Sequence, residues 1–105
     1  MRYELLKNNI RVSETLQKAI DTKVAKITER LKRYHPETAH LEVKLNQQED
    51  NNGFECSLNL KAFKDALFAK KSAPELRVAV DKSFDAIMKE LDHYRNKINK
   101  SLQHG

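Results

Sequence analysis

Hydrophobic positions recur along this chain with two periods, and the places where the period changes divide it into six elements. Tyr3 and Leu5 share one face of a segment from Arg2 to Lys7, the alternation of a short strand. Asn8 and Asn9 read as a loop, and Ser13 stands where an N-cap would open a helix running from Glu14 to Tyr34. Within it Leu16, Ile20, Val24, Ile27, Leu31 and Tyr34 return every three or four residues, which places them on one stripe. Pro36 closes the helix, because the residue before a proline is pushed out of helical geometry.

The period then falls to two. Ala39, Leu41, Val43 and Leu45 alternate with His40, Glu42, Lys44 and Asn46, as a strand with one buried face requires. Gln47 to Gly53 is polar throughout and reads as a hairpin loop. After it Phe54, Cys56, Leu58, Leu60 and Ala62 alternate with Glu55, Ser57, Asn59 and Lys61. A shorter strand is expected from Ala66 to Lys71, with Leu67 and Ala69 toward the core. Pro74 suits the first turn of a second helix, predicted to reach about Lys100. Leu76, Val80, Phe84, Ile87, Leu91, Tyr94 and Ile98 form its apolar stripe. The order β-α-β-β-β-α predicts an α+β fold in which two helices pack on one face of a four-stranded sheet and bury both stripes at once. Phe63 and Phe68 fall out of phase with their strands. Packing beneath the helix ends is the expectation, and contact with a partner is the alternative.

Length and charge sharpen this picture. The 105 residues suffice for one domain, residues 1–105, with a single core. Lys and Arg number 20 against 15 Asp and Glu, a net charge of +5. Such an excess favours a polyanionic partner without requiring one. The charges are unevenly placed: between Pro36 and Leu60 lie five acids (Glu37, Glu42, Glu49, Asp50, Glu55) and one base (Lys44). Subtracting these from the 20 bases and 15 acids of the whole chain leaves 19 and 10 elsewhere. A phosphate-bearing partner is therefore expected at the helices and away from the hairpin. Counting 100° per residue, Lys23, Lys26, Arg30 and Arg33 flank one edge of the first stripe. On the last helix Lys82, Lys89, His93 and Lys100 lie opposite the stripe, with Lys97 beside them and Asp81, Asp85 and Asp92 on a different edge.

Several chemistries find no support. One cysteine, Cys56, leaves no internal disulfide or CxxC framework, and its place in the buried phase of a strand reads as core. His35, His40, His93 and His104 have no metal-ligand spacing, and two glycines cannot build a phosphate-cradling loop. Asp81 and Asp85 share a helix edge but read as solvated rather than as paired catalytic carboxylates. The start of the chain lacks a signal-peptide pattern, and no run approaches the roughly 18 apolar residues of a membrane span. The reading is a non-enzymatic cytoplasmic protein without cofactor, metal or small-molecule substrate.

Four short segments resemble the ribosome hibernation promoting factor family, which includes the ribosome-associated inhibitor and the proteins also described as sigma-54 modulation proteins. They are Asn9-Ile10-Arg11-Val12-Ser13-Glu14-Thr15-Leu16; Lys23-Val24-Ala25-Lys26-Ile27; Leu67-Phe68-Ala69-Lys70-Lys71 with Ala79-Val80-Asp81; and Leu91-Asp92-His93-Tyr94-Arg95-Asn96-Lys97-Ile98. Each is weak alone, but they occur in the family's order and spacing over nearly the whole chain. The resemblance implies a stress or stationary-phase factor that binds the small ribosomal subunit and inhibits translation by occluding the channel of messenger and transfer RNA. Matched by position, Lys23, Lys26, Lys89, Arg95 and Lys97 are the expected contacts to ribosomal RNA, with Arg30 and Lys82 nearby. Ala86 and His93 stand where the family usually has Lys, and Lys7 and Ala73 where it has Gly, so the basic stripe of the last helix is thinner here. The chain ends soon after that helix, like the short form of the family, without a C-terminal dimerisation domain. A monomer off the ribosome is expected. Two other functions remain in view: a protein-interaction module that modulates a transcription factor, and a general double-stranded RNA-binding module.

Overall fold

The computed structural model describes residues 1–32, 38–48, 53–62 and 65–104, with side chains described through residue 96. Its elements are β1 (Arg2–Asn8), α1 (Glu14–Arg30), β2 (His40–Gln47), β3 (Phe54–Ala62), β4 (Asp65–Ala73) and α2 (Leu76–His104). The strands form one sheet in sequence order, with β1 parallel to β2 and the two later pairs antiparallel. The predicted β-α-β-β-β-α order is therefore the observed one.

The strand alternation does what the sequence pattern requires. Leu41, Val43 and Leu45 of β2 and Cys56, Leu58, Leu60 and Ala62 of β3 are buried beneath the helices. They meet Leu16, Ile20, Val24, Ile27 and Leu31 from α1 and Ala79, Val80, Phe84, Ile87 and Leu91 from α2 in one cluster. Ser83 is the one buried polar side chain among the described residues, and its hydroxyl donates to the Val80 carbonyl at 2.9 Å. With a small residue at Ala79 and a satisfied hydroxyl at Ser83, α2 can lie close against the sheet without an orphaned polar group.

Local signals set the ends of α1. The Ser13 hydroxyl accepts the Leu16 backbone N–H at 3.1 Å, as an N-cap should. Replacing Ser13 by Ala should lower stability by about 1 kcal/mol. A urea melt that leaves the midpoint unmoved would show the cap to be idle. The helix closes at Arg30, sooner than Tyr34. The Leu31 N–H is shared between the carbonyls of Ile27 and Thr28, each at 3.1 Å, and the Lys32 N–H reaches Glu29. Such three-residue closures tighten and end a helix before any proline is reached. Arg33, Tyr34, His35, Pro36 and Glu37 lie outside the described residues, as do Glu49, Asp50 and Phe63.

Side-chain hydrogen bonds fasten both helices to the sheet margins. The Tyr3 hydroxyl donates to Asp21 at 2.9 Å while Gln17 donates to both, so β1 is tied to α1. Tyr94 on α2 donates to Asp65 at the start of β4, at 2.8 Å.

Strand β4 departs from expectation in length and in phase. It runs from Asp65 to Ala73, longer at both ends than Ala66 to Lys71, because Ala62 of β3 pairs with Asp65 and Phe54 and Glu55 pair with Ala73 and Ser72. Ala69 is buried and Leu67 half-buried, as predicted. Phe68, expected to pack beneath a helix, is instead 55% exposed on the sheet face that the helices leave open. Strand parity forces this, since Phe68 lies directly across from Asn59, whose neighbours Leu58 and Leu60 point to the core.

Candidate nucleic-acid interface

The cations of α1 are gathered by spacing alone. Lys23, Lys26 and Arg30 are three and four residues apart, which sets them along one edge beside the buried Ile20, Val24 and Ile27. Phe84, Asp85, Met88, Lys89 and Asp92 repeat that spacing on α2. These eight residues line a groove of about 350 Å³ between the two helices, with Phe84 and Met88 as its apolar part. Four of them are cations and two are carboxylates, so the groove has a net positive lining.

Its ends are closed by ion pairs between the helices. Lys23 lies 3.1 Å from Asp81, which also receives Arg77 at 3.1 Å. Arg30 donates to Asp92 at 2.6 Å, and Arg95 approaches the same carboxylate oxygen at 3.7 Å. Asp81, expected to be solvated, and Asp92 keep 42% and 44% of their side chains exposed, yet both also serve as counter-charges of the α1 cations. Helical periodicity grouped Asp81, Asp85 and Asp92 on one edge, but only the packing of α2 beside α1 could show what that edge faces.

Between these ends Lys26 and Lys89 are exposed and, among the described residues, join no ion pair. Lys89 also borders a shallow hollow on the other side of α2, beside Leu67, Glu90, His93 and Tyr94, so its ammonium stands on a crest between two depressions. Of the seven expected contacts, the groove therefore gathers Lys23, Lys26, Arg30 and Lys89. Arg95 touches its end through Asp92. Lys82 is exposed two turns before Lys89 and lies outside the groove lining. The side chain of Lys97 lies outside the described residues.

Two described carboxylates of the β2–β3 pair, Glu42 and Glu55, lie away from the groove. Glu42 pairs with Lys44 at 3.3 Å and Glu55 with Lys70 at 3.7 Å, both in the strand phase opposite to the core. On the sheet's open face carboxylates and cations are interspersed, Glu42 with Lys44 and Glu55 with Lys70, whereas the groove lining is net positive.

Protonation follows these contacts. Burial alone would raise the Asp81 carboxyl, but the Lys23 ammonium and the Arg77 guanidinium outweigh it and hold the group below the usual carboxylate range. A carboxyl depressed on folding stabilises the fold fully above its unfolded value and loses that contribution as pH falls through its folded value. The stability gap between the native protein and Asp81→Asn should therefore be present above about pH 4 and close below it. Urea melts across that range would refute the assignment if the gap stayed constant. Burial pushes the Cys56 thiol up to about 11, against the hydrogen bond with Ser83, which keeps it protonated and unreactive at neutral pH.

Among the described residues no group of three or more His, Cys, Asp or Glu side chains is placed to hold a metal ion. No described helix is long and apolar enough to cross a membrane.

A family model described as Sigma 54 modulation protein / S30EA ribosomal protein matches residues 4–99. No curated protein matches the sequence. In fold the chain is similar to the N-terminal domain of Protein Y from Thermus thermophilus, with a TM-score of 0.70 and 15% identity over 90% of this chain and 99% of that one. It is also similar to a ribosomal subunit interface protein from Coxiella burnetii, with a TM-score of 0.63 and 15% identity over 91% of this chain and 99% of that one.

Proposed function

The chain belongs to the Sigma 54 modulation protein / S30EA ribosomal protein family, and from that premise we propose that it is a ribosome hibernation factor acting on the small subunit. It grips ribosomal RNA through the basic faces of α1 and α2 and inhibits translation by filling the channel that messenger and transfer RNA need. The observation that supports this best is the convergence of Lys23, Lys26, Arg30 and Lys89 on one groove with a net positive lining.

The physics of the partner suits such a surface. Ribosomal RNA helices are A-form, with a major groove too narrow for side chains, so a protein meets phosphates, 2′-hydroxyls and overall shape. Ammonium and guanidinium groups held on rigid helices are matched to that task, and neither stacking aromatics nor a base-reading loop is needed. Inhibition is then steric. No bond is made or broken, and no cofactor or small-molecule substrate takes part. In this reading the protein works in the cytoplasm, under stress or in stationary phase, and is a monomer when off the ribosome. Lys82, Arg95 and Lys97 extend the contact beyond the groove.

Co-sedimentation with purified small subunits at rising salt tests the proposal. The native protein should pellet at low ionic strength and be released as salt rises. Lys89→Glu with Arg95→Glu should abolish pelleting, and free duplex RNA should stay unbound at the salt concentrations where subunits still retain the protein. Subunits that ignore the native protein at low salt would overturn the reading. Equal retention by free duplex RNA would favour a general double-stranded RNA-binding module.

A further inference from the structure

The groove between α1 and α2 contains two kinds of cation, and the difference assigns a role to the carboxylates of α2. The inference rests on the RNA-binding reading above and adds to it. At each end a cation of α1 is already bonded within the protein: Lys23 to Asp81 at 3.1 Å, and Arg30 to Asp92 at 2.6 Å. Each carboxylate also restrains a second cation, Arg77 beside Asp81 and Arg95 beside Asp92. Lys26 of α1 and Lys89 of α2 line the same groove with no such partner among the described residues.

We infer that Asp81 and Asp92 are selectivity residues: internal counter-charges that withhold Lys23 and Arg30 from loosely placed phosphates and leave Lys26 and Lys89 to make first contact. A phosphate that approaches Lys23 or Arg30 also meets the carboxylate, so the net attraction is small unless it arrives from the one side where the cation can be shared. Rigid, folded RNA can present a phosphate there. A flexible strand or an arbitrary duplex meets the repulsion as often as the attraction. This is discrimination by a built-in repulsive element, added to the attractive one.

The same pairs have a second effect. Long Lys and Arg side chains lose rotamer freedom when they bind, which weakens association. Lys23, with only 21% of its side chain exposed, is already held in place by Asp81. The correct partner thus meets a cation whose ordering was completed on folding, while an incorrect partner gains nothing from it. Asp85 lines the same groove without a described ion pair, and its charge adds to the repulsion without holding a cation.

The test compares Asp81→Asn/Asp92→Asn with a charge-matched control, Glu42→Gln/Glu55→Gln, whose carboxylates pair with Lys44 and Lys70 on the sheet's open face. Binding to a short generic RNA duplex and to purified small subunits is measured over a series of salt concentrations. In the Asp variant, affinity for the duplex should rise roughly tenfold. Its slope of log affinity against log salt should steepen by about 1.4–1.8, at 0.7–0.9 for each cation released. Affinity for subunits should rise by less than about threefold, so selectivity falls. The control should change neither slope. An Asp variant that behaves like the control, or that keeps the native ratio of the two affinities, would overturn the inference. If the double variant fails to fold by urea melt, Asp92→Asn alone carries the same comparison with half the change in slope. Should the native protein ignore subunits, the functional reading fails, while the duplex measurements still decide what the carboxylates do.

Discussion

Changing Lys26 and Lys89 together to Glu is expected to weaken binding to the small subunit about a thousandfold. Both ammonium groups are exposed, both line the groove, and neither has a described carboxylate partner. A charge-assisted hydrogen bond to phosphate is worth about 1.5 kcal/mol or more. Losing two, and adding two like-charge contacts of about 0.5 kcal/mol each, gives a loss near 4 kcal/mol. At 1.4 kcal/mol for each factor of ten, that is about three decades. The fold should be indifferent, because neither side chain contributes to the core, and an unchanged urea midpoint would establish this. Full retention of subunit binding by a folded double variant would remove the central groove from the interface. Reversing Lys23 instead should do less, since Asp81 already offsets its charge.

The largest effect on stability should come from Phe84→Ala. This ring is 2% exposed, meets side chains of the sheet and of α1 in the single core, and also lines the groove. Truncating a buried Phe costs about 3–5 kcal/mol, through lost transfer energy and the cavity left behind. A domain of this size has only about 5–15 kcal/mol in total, so the variant should sit near the limit of folding, with a Tm lower by roughly 15–30 °C. The urea midpoint should fall sharply with little change in m, since the surface exposed on unfolding is nearly the same. A loss below about 1 kcal/mol would mean that the core closes around the gap. Phe84→Leu keeps most of the volume and separates groove effects from packing effects: it should bind subunits as the native protein does.

Much of this architecture could be read in advance, and the parts that could not have definite causes. The alternation of Leu41, Val43 and Leu45 against Glu42 and Lys44 admits only a half-buried strand, and the stripe from Leu16 to Leu31 admits only a helix, because each follows one local period. Ser13 was legible as a cap for the same reason, since capping involves three neighbouring residues. The end of α1 was not, because a shared N–H at Leu31 leaves no mark in composition. Phe68 is exposed although its ring is apolar, and its strand phase already pointed that way. Parity decides which face a residue takes, and hydrophobicity decides only what that placement costs. The basic edge of α1 was visible from spacing, but its partial neutralisation was not. Whether Asp81 and Asp92 face solvent or Lys23 and Arg30 depends on how two helices far apart in sequence lie side by side, and no local pattern encodes that. Neither the family resemblance, which gave Lys23 and Arg95, nor the nearby placement of Arg30 indicated that these three touch internal carboxylates.

Strand β4 closes one side of the sheet, and among the described residues no strand neighbours its outer backbone groups. With Phe68 protruding beside them and Ala66, Leu67 and Ala69 in the same run, this margin is a ready template for another chain to zip onto. Unguarded edges of that kind drive self-adhesion and, in crowded cells, precipitation. Lys70 and Lys71 follow the apolar run directly, both exposed, and a second molecule pairing there would have to bring ammonium groups into contact with little water between them. Two lysines outside the helix seam, Lys70 and Lys71, are thus placed where their charge opposes the pairing of a second molecule along this edge.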